Sequence, residues 1–481
     1  MSSWEATRQT HSARRLCGAS WPACADPLVS LHPGLISAQS SVTRAGEGRA
    51  QMIGTRFMFE LRRVWRKLWV RTSAFALAGV AVVVLTPLVS PLLPDWLAEI
   101  EAAESIESIL SILASSMLAV TTFSVSIMLT AYNAASVSGT PRAVSLLKED
   151  VTSQMVLATF LGAFLFSLFA LIGIRSGVFD AAGRVVLFFA TMWVTLAVVI
   201  ALVRWITHLT NFGRLIDTVS RVETAAAEAM KARVAAPYLG GVPPQGPVQG
   251  WVPIYPEKSG YLCHVDMPAL QKLGSEIKGA PIGPVIRLDL VPGSFVHRKR
   301  LLAWLAPELA QGPESDDRLE RARQAFTIGT ARTYEQDPRF GLSVLSEIAE
   351  RALSPAVNDP GTALDVLGRQ FKILDLWTQR GTAAEAEYPL VSVPGLEMQD
   401  LLEDAFAGVA RDGAGVISVQ LRLQKLLAAL AQTDPAQFGN AALRLSDRAL
   451  AEARKTDLYA EDLRRLEQLH AALRESLPPS A

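Results

Sequence analysis

The residues best placed to do chemistry in an apolar setting are the hydroxyls between Ile106 and Tyr132. At 3.6 residues per turn, Ser108, Ser111, Ser115, Thr122 and Ser126, with Asn133 just beyond, fall on one stripe. Leu110, Leu113, Met117, Val120, Ile127 and Met128 occupy the rest of the helix surface. The stretch is long enough to cross a bilayer. A hydroxyl in hydrocarbon seeks a partner, so the stripe is expected to meet another helix, a symmetry copy of itself, or water. Either these side chains knit helices together within one bundle, or they line a water-filled path or helix interface in an oligomer. Apart from Glu107 and Arg204, each within two residues of a span end, no acidic or basic residue lies inside any apolar span, which argues against an ion-coupled carrier.

A second constellation lies far downstream: Arg332, Asp337, Arg351, Asn358 and Asp359. Helix starts at Pro338 and Pro360 would offer free N–H groups, and two arginines beside them would suit an anion or small ligand of unspecified identity. Capping and salt-bridging around helix junctions is the alternative for the same residues. Cys263, His264 and Asp266 are close in sequence, but on a strand neighbouring side chains alternate faces, so no metal is expected there. The chain has no G-x-S-x-G, phosphate loop or H-E-x-x-H, no catalytic residue is nominated, and no cofactor is implied.

These groups need a frame. With 481 residues, half of them hydrophobic, the chain has room for a membrane part and at least one further domain. Zero formal net charge argues against nucleic acid as a partner, and three scattered cysteines make no disulfide framework. Residues 1–51 carry neither apolar periodicity nor a signal-peptide core, and read as a disordered leader or as sequence ahead of a later start at Met52 or Met58.

From Phe57 to Arg71, aromatic and basic residues alternate as in a helix at the membrane edge, with Trp65 and Trp69 at headgroup level. Four spans then predict a transmembrane domain over 52–209: Thr72–Leu93, the hydroxyl-bearing stretch, Met155–Ile174 and Val185–Ile206. Thr140-Pro141 is a helix start between the second and third. The third span carries Gly162, Ala163, Ser167 and Ala170, small residues on which the second is expected to pack.

Residues 210–250 form a stalk helix and a Gly/Pro linker. Residues 251–312 read as a small β-rich subdomain, barrel-like with one inserted helix, and 313–476 as a helical subdomain. The fold class is therefore an α-helical membrane protein of four transmembrane helices followed by a cytosolic α+β domain.

Two blocks, SMLAVTTFSVSIMLTAYNAASVSGTPRAVSLL and FTIGTARTYEQDPRFGLSVLSEIAERALSPAVNDPGTAL, together resemble the bacterial membrane proteins grouped as domain of unknown function 2254. The resemblance runs more weakly through SGYLCHVD and VPGSFV and covers Phe57 to about Leu376. It departs after the glycine of the PG turn, where Ser294 stands in place of an acidic residue. The resemblance implies a multi-spanning protein of the bacterial inner membrane. The resulting expectation is a homo-oligomeric, channel-like or regulatory protein in contact with the lipid bilayer. A membrane-tethered scaffold or sensor is the alternative, and a membrane-bound enzyme the third.

Six Lys and Arg residues lie between Arg56 and Arg71, and none between Asp95 and Glu107, which carries five acidic side chains. By the positive-inside bias both termini are cytoplasmic. Reporter fusions at residues 100 and 240 should accordingly report opposite compartments; identical signals would overturn this topology.

Overall fold

A computed structural model describes residues 68–89, 106–148, 150–210, 213–277, 283–381 and 385–477. The leader over 1–51, the membrane-edge residues ahead of Leu68 and most of the acidic loop after Asp95 lie outside the described residues. The upstream part is built from α1 (Leu68–Val89), α2 (Ile106–Ser138), α3 (Pro141–Lys148), α4 (Val151–Arg175) and α5 (Ala181–Leu209). Among the described residues three helices, not four, are long and apolar enough to cross a membrane: α2, α4 and α5. The expected first span is a helix with a shorter apolar stretch, Leu77–Thr86, and its continuation past Val89 lies outside the described residues.

α4 is the hub of this bundle, packing against α1, α2 and α5. Its small residues serve two neighbours. Gly79 of α1 comes so close that a Cβ there would stand 3.1 Å from the Gly162 carbonyl oxygen, while Ala163 joins Leu113, Met117, Phe160 and Trp205 in a core shared with α2 and α5. The expected pairing of the second and third spans is present, and α1 shares the hub helix. At one end of the bundle Arg175 donates to Glu107 at 2.8 Å, closing α4 onto the start of α2. Outside the hydroxyl stripe of α2 the outward faces are largely apolar: Leu77, Ile112, Phe123, Trp193 and Val203 are all more than half exposed, as suits lipid contact.

At 33 residues α2 is about 50 Å long, well beyond a hydrocarbon core of about 30 Å. Its last turns pack with α3 and α4 through Met128, Ala135, Val144, Leu147 and Leu157. α3 begins at the expected Thr140-Pro141 step, where the Ala143 amide donates to the Thr140 hydroxyl. α6 (Leu215–Ala235) then carries the chain away, presenting Val219, Val222, Ala226 and Met230 to a large helical core downstream.

That downstream region has two cores. The first lies among short strands: β1 (Val252–Ile254), β2 (Gly260–Val265), β3 (Ile286–Leu288), β4 (Phe295–Val296), β5 (Ala303–Leu305), β6 (Phe326–Gly329) and β7 (Val391–Ser392), with α7 (Met267–Gly274) and α8 (Ser315–Gln324) against them. The strands pair as two separate sheets, β1-β5-β3-β7 and β4-β2-β6, rather than as the single barrel-like sheet expected. All pairs are antiparallel except β3 with β7. β6 and β7 come from beyond residue 312, so this sheet region closes only with chain drawn from the helical part.

The second core is helical: α9 (Pro338–Ala352), α10 (Pro360–Thr378), α11 (Met398–Leu402), α12 (Gly408–Asp412), α13 (Ile417–Thr433), α14 (Pro435–Ala453) and α15 (Ala460–Ser476). Asp337, Asp359 and Asp434 cap α9, α10 and α14 just ahead of a proline, as the Asp359-Pro360 pattern predicts. A π-helical turn, Glu403–Ala407, joins α11 to α12, and the buried Gln370 amide donates to the Ala405 carbonyl within it at 2.7 Å.

The stalk joins the helical core by close approach. A Cβ on Gly341 of α9 would meet the Ala226 Cβ of α6 at 2.2 Å and its Cα at 2.9 Å, so only glycine fits without moving backbone. Overpacking of this kind costs about 1–3 kcal/mol. Gly341→Val should lower the melting temperature of the detergent-solubilised protein, and an unchanged melting temperature would show the two helices free to separate.

Candidate functional site

A dense set of interacting polar groups stands at the foot of the bundle, where three helices meet. Asp150 caps α4: its Oδ2 accepts from the Ser153 backbone N–H at 2.7 Å and from the Ser153 hydroxyl at 2.7 Å. The same oxygen lies 3.1 Å from Nε2 of His208 in the last turn of α5. Its other oxygen accepts from Nη1 of Arg221 on α6 at 2.8 Å, and Arg221 Nε donates to Asp217 at 2.8 Å. One carboxylate thus ties α4, α5 and α6 together. Trp205 is buried and stacks on His208 with ring centroids 5.9 Å apart.

Burial alone would push the Asp150 carboxyl up, yet it is held far below the usual carboxylate range by the hydrogen bonds it accepts from His208, Ser153 and Arg221. Arg221 is likewise raised against its burial by Asp217 and Asp150. The cluster is therefore a stable charge-assisted junction at neutral pH.

The hydroxyl stripe occupies the outward face of α2. Ser108, Ser111, Ser115, Thr122, Ser126 and Asn133 are all exposed, while Leu110, Leu113, Met117 and Met128 on the opposite face are buried. Ser115 donates to the Ser111 carbonyl at 3.0 Å, Thr122 to Leu118 at 2.7 Å and Ser126 to Thr122 at 3.0 Å. With their protons held by their own helix, these oxygens present lone pairs outward. Leu118, Val125 and Leu129 form one apolar shoulder of the stripe, and Ile112 and Phe123 the other. Its lower end opens on a depression of about 370 Å³ bordered by Ser126, Thr130 and Arg214. Among the described residues of α2 the buried hydroxyl is Ser124, on the face away from the stripe.

The five downstream residues do not meet. Arg332 makes a bidentate pair with Asp337 (2.8 and 3.0 Å) and lies over the Phe340 ring, and Asp337 also accepts from the Phe340 amide at 3.1 Å. Arg351, in the last turn of α9, and Asn358 and Asp359 beyond it stand at the other end of that helix, about 20 Å of helix away. There Asp359 caps α10 through the Thr362 amide and hydroxyl, whose hydrogen bonds lower its pKa, and Asn358 holds a left-handed φ of 49°. At the Asp337 end stands a group that sequence reasoning missed. Arg233, from the end of α6, is 2% exposed; burial brings its pKa down to about 10, opposed by the Asp337 carboxylate. Its Nη1 donates to the Pro237 carbonyl, while Nε and Nη2 have no hydrogen-bond partner among the described residues. Among the described residues no group of three His, Cys, Asp or Glu side chains converges to hold a metal.

A family described as Predicted membrane protein (DUF2254) matches residues 65–429. Uncharacterized proteins of Mycobacterium bovis and Mycobacterium tuberculosis are 28% identical to this chain over 303 residues, covering 60% of it. The matched region spans 57% of the length of those relatives. No solved structure matches.

Breaking a buried ion pair from one side costs about 3–5 kcal/mol, because the partner charge is left unmatched. Asp150→Asn, which keeps an N-cap, should destabilise the protein by about 1–3 kcal/mol, less than that range because Arg221 is partly exposed and keeps Asp217, and adding Arg221→Gln should cost less than the two single changes summed. The sign with pH follows from the depressed pKa. Asp150 stabilises the fold fully above the unfolded carboxyl value of about 3.9, and the contribution is lost as pH falls below it. The gap in thermal melts between wild type and Asp150→Asn should therefore stay constant from pH 7 to about 5 and narrow as pH falls from about 4 towards 2; a gap that stays constant over the acid range would refute this assignment.

Proposed function

Because the chain belongs to the DUF2254 family of predicted membrane proteins, we propose that it acts as an oligomeric, channel-like or regulatory protein of the bacterial inner membrane. In this reading α2 of each copy faces the symmetry axis and the downstream region lies in the cytoplasm. The observation that carries it is the outward placement of Ser108, Ser111, Ser115, Thr122, Ser126 and Asn133. Packing within one chain uses the opposite face of α2, so the polar stripe is left for another copy and for water. The apolar shoulders at Leu118, Val125, Ile112 and Phe123 are shaped to pack between neighbouring copies, with the hydroxyl oxygens in the seam between them.

The junction at Asp150 supports a regulatory role. α6 carries both Arg221, which bonds the Asp150 carboxylate that caps α4 and faces His208 of α5, and Val222, Ala226 and Met230, which sit in the downstream helical core. A ligand that moves that core would therefore pull directly on the membrane helices. The scaffold or sensor reading is favoured by a different observation, that Ser115, Thr122 and Ser126 already bond their own backbone and can face lipid at lower cost.

Cysteine accessibility separates the two. Ser115→Cys and Ser126→Cys should react with a charged, membrane-impermeant thiol reagent in liposomes if the stripe is wet, and stay protected if it is dry. Thr122→Leu should reduce ion flux without dissociating the assembly, since an inward isobutyl group dewets a constriction. Unreactive cysteines together with a monomeric Leu variant would give the scaffold reading first place.

A further inference from the structure

Between α4 and α5 runs a groove of about 900 Å³, bordered at one end by α6. We propose that it binds one anionic phospholipid, with an acyl chain in the groove and the headgroup phosphate on Arg204. Three features lead there. The groove walls are apolar along Met155, Val156, Ala197 and Ile200, and polar at the other end, where Asp217 and Arg221 of the Asp150 junction line it. Its length suits part of one leaflet: from Ala197 to Arg204 α5 rises about 10 Å, within the about 15 Å of half a hydrocarbon core, so the headgroup-proximal part of an acyl chain lies in the groove.

Charge selects the headgroup. Both carboxylates at the polar end, Asp150 and Asp217, are engaged by Arg221, and Asp150 by His208 as well. Arg204, exposed in the last turns of α5 and bordering the groove, makes no ion pair among the described residues. It is the cation left over to meet a phosphate at headgroup level, with the Thr152 and Thr207 side chains beside it. A zwitterionic lipid would fill the apolar part equally well, but its phosphate brings a compensating cation, so it gains less from Arg204.

The full-length protein in mild detergent, supplemented with phosphatidylglycerol or phosphatidylcholine and examined by native mass spectrometry, tests this. Phosphatidylglycerol should be retained about fivefold more than phosphatidylcholine, and millimolar inorganic phosphate should not displace it. Arg204→Ala should bring phosphatidylglycerol down to the phosphatidylcholine level, whereas Arg184→Ala, which removes a cation at the opposite end of α5, should leave it unchanged. Ala197→Phe, which fills the apolar end, should reduce retention of both lipids. Equal retention of the two lipids, full retention in the Arg204 variant, or displacement by phosphate would each overturn the proposal; Arg204 is exposed, so its variant decides the matter even where Ala197→Phe fails to assemble.

Discussion

One carboxylate accepting from four directions sets the geometry at the foot of this molecule. Asp150 is buried, and a buried carboxylate without partners would be costly enough to protonate instead. It stays ionised because Ser153 supplies an amide and a hydroxyl, and His208 and Arg221 supply cationic or donor groups from two other helices. Each donor is worth having only while the others hold position, so the ends of α4, α5 and the start of α6 are fixed as a unit. Everything that depends on where α6 begins, including the seating of Ala226 against Gly341, inherits that constraint.

The apolar helices could not supply such definition by themselves. Between helices in lipid the hydrophobic effect offers little, so association rests on close packing and polar contacts. The bundle uses both: Gly79 against Gly162 in its middle, and ionic closures at either end, Glu107 with Arg175 and Asp150 with His208 and Arg221. The two closures differ in weight. Arg175 and Glu107 are both well exposed and gain little from pairing in water, whereas Asp150 is shielded.

Much of this was legible in the residues themselves, and the reasons are local. Proline after an acidic cap marks the starts of α9 and α10, the break near Thr456 separates α14 from α15, and the 3.6-residue period places the α2 stripe on one face. What the period cannot say is whether that face turns inward or outward within the chain. The Asp150 cluster was out of reach because its members lie 55 to 71 residues apart, and His208 and Arg221 read only as flanking charges. Arg233 looked like one more polar stalk residue, since nothing near it in sequence indicates that the Asp337 turn will close over it. The β-strands failed differently: runs of two to six residues carry little pattern, and β6 and β7 return from beyond the expected boundary to complete the two sheets. Arg332 and Asp337 pair as their spacing allows, but α9 is too long for Arg351 and Asp359 to join them.

The length of α2 has a mechanical consequence. A helix of 33 residues that crosses about 30 Å of hydrocarbon leaves about 20 Å projecting, unbroken by any glycine or proline up to Ser138. Such a rod is stiff on that scale, so a twist or tilt imposed on the projecting part arrives at the buried part with the same sense and nearly the same angle. The projecting turns are gripped by α3 and α4 at Leu147 and Leu157, and α3 is in turn tied to α9 by the ion pair of Arg142 with Glu347. Displacement of α9 would therefore reach the hydroxyl face of α2 through α3, a mechanical path distinct from the tether through α6.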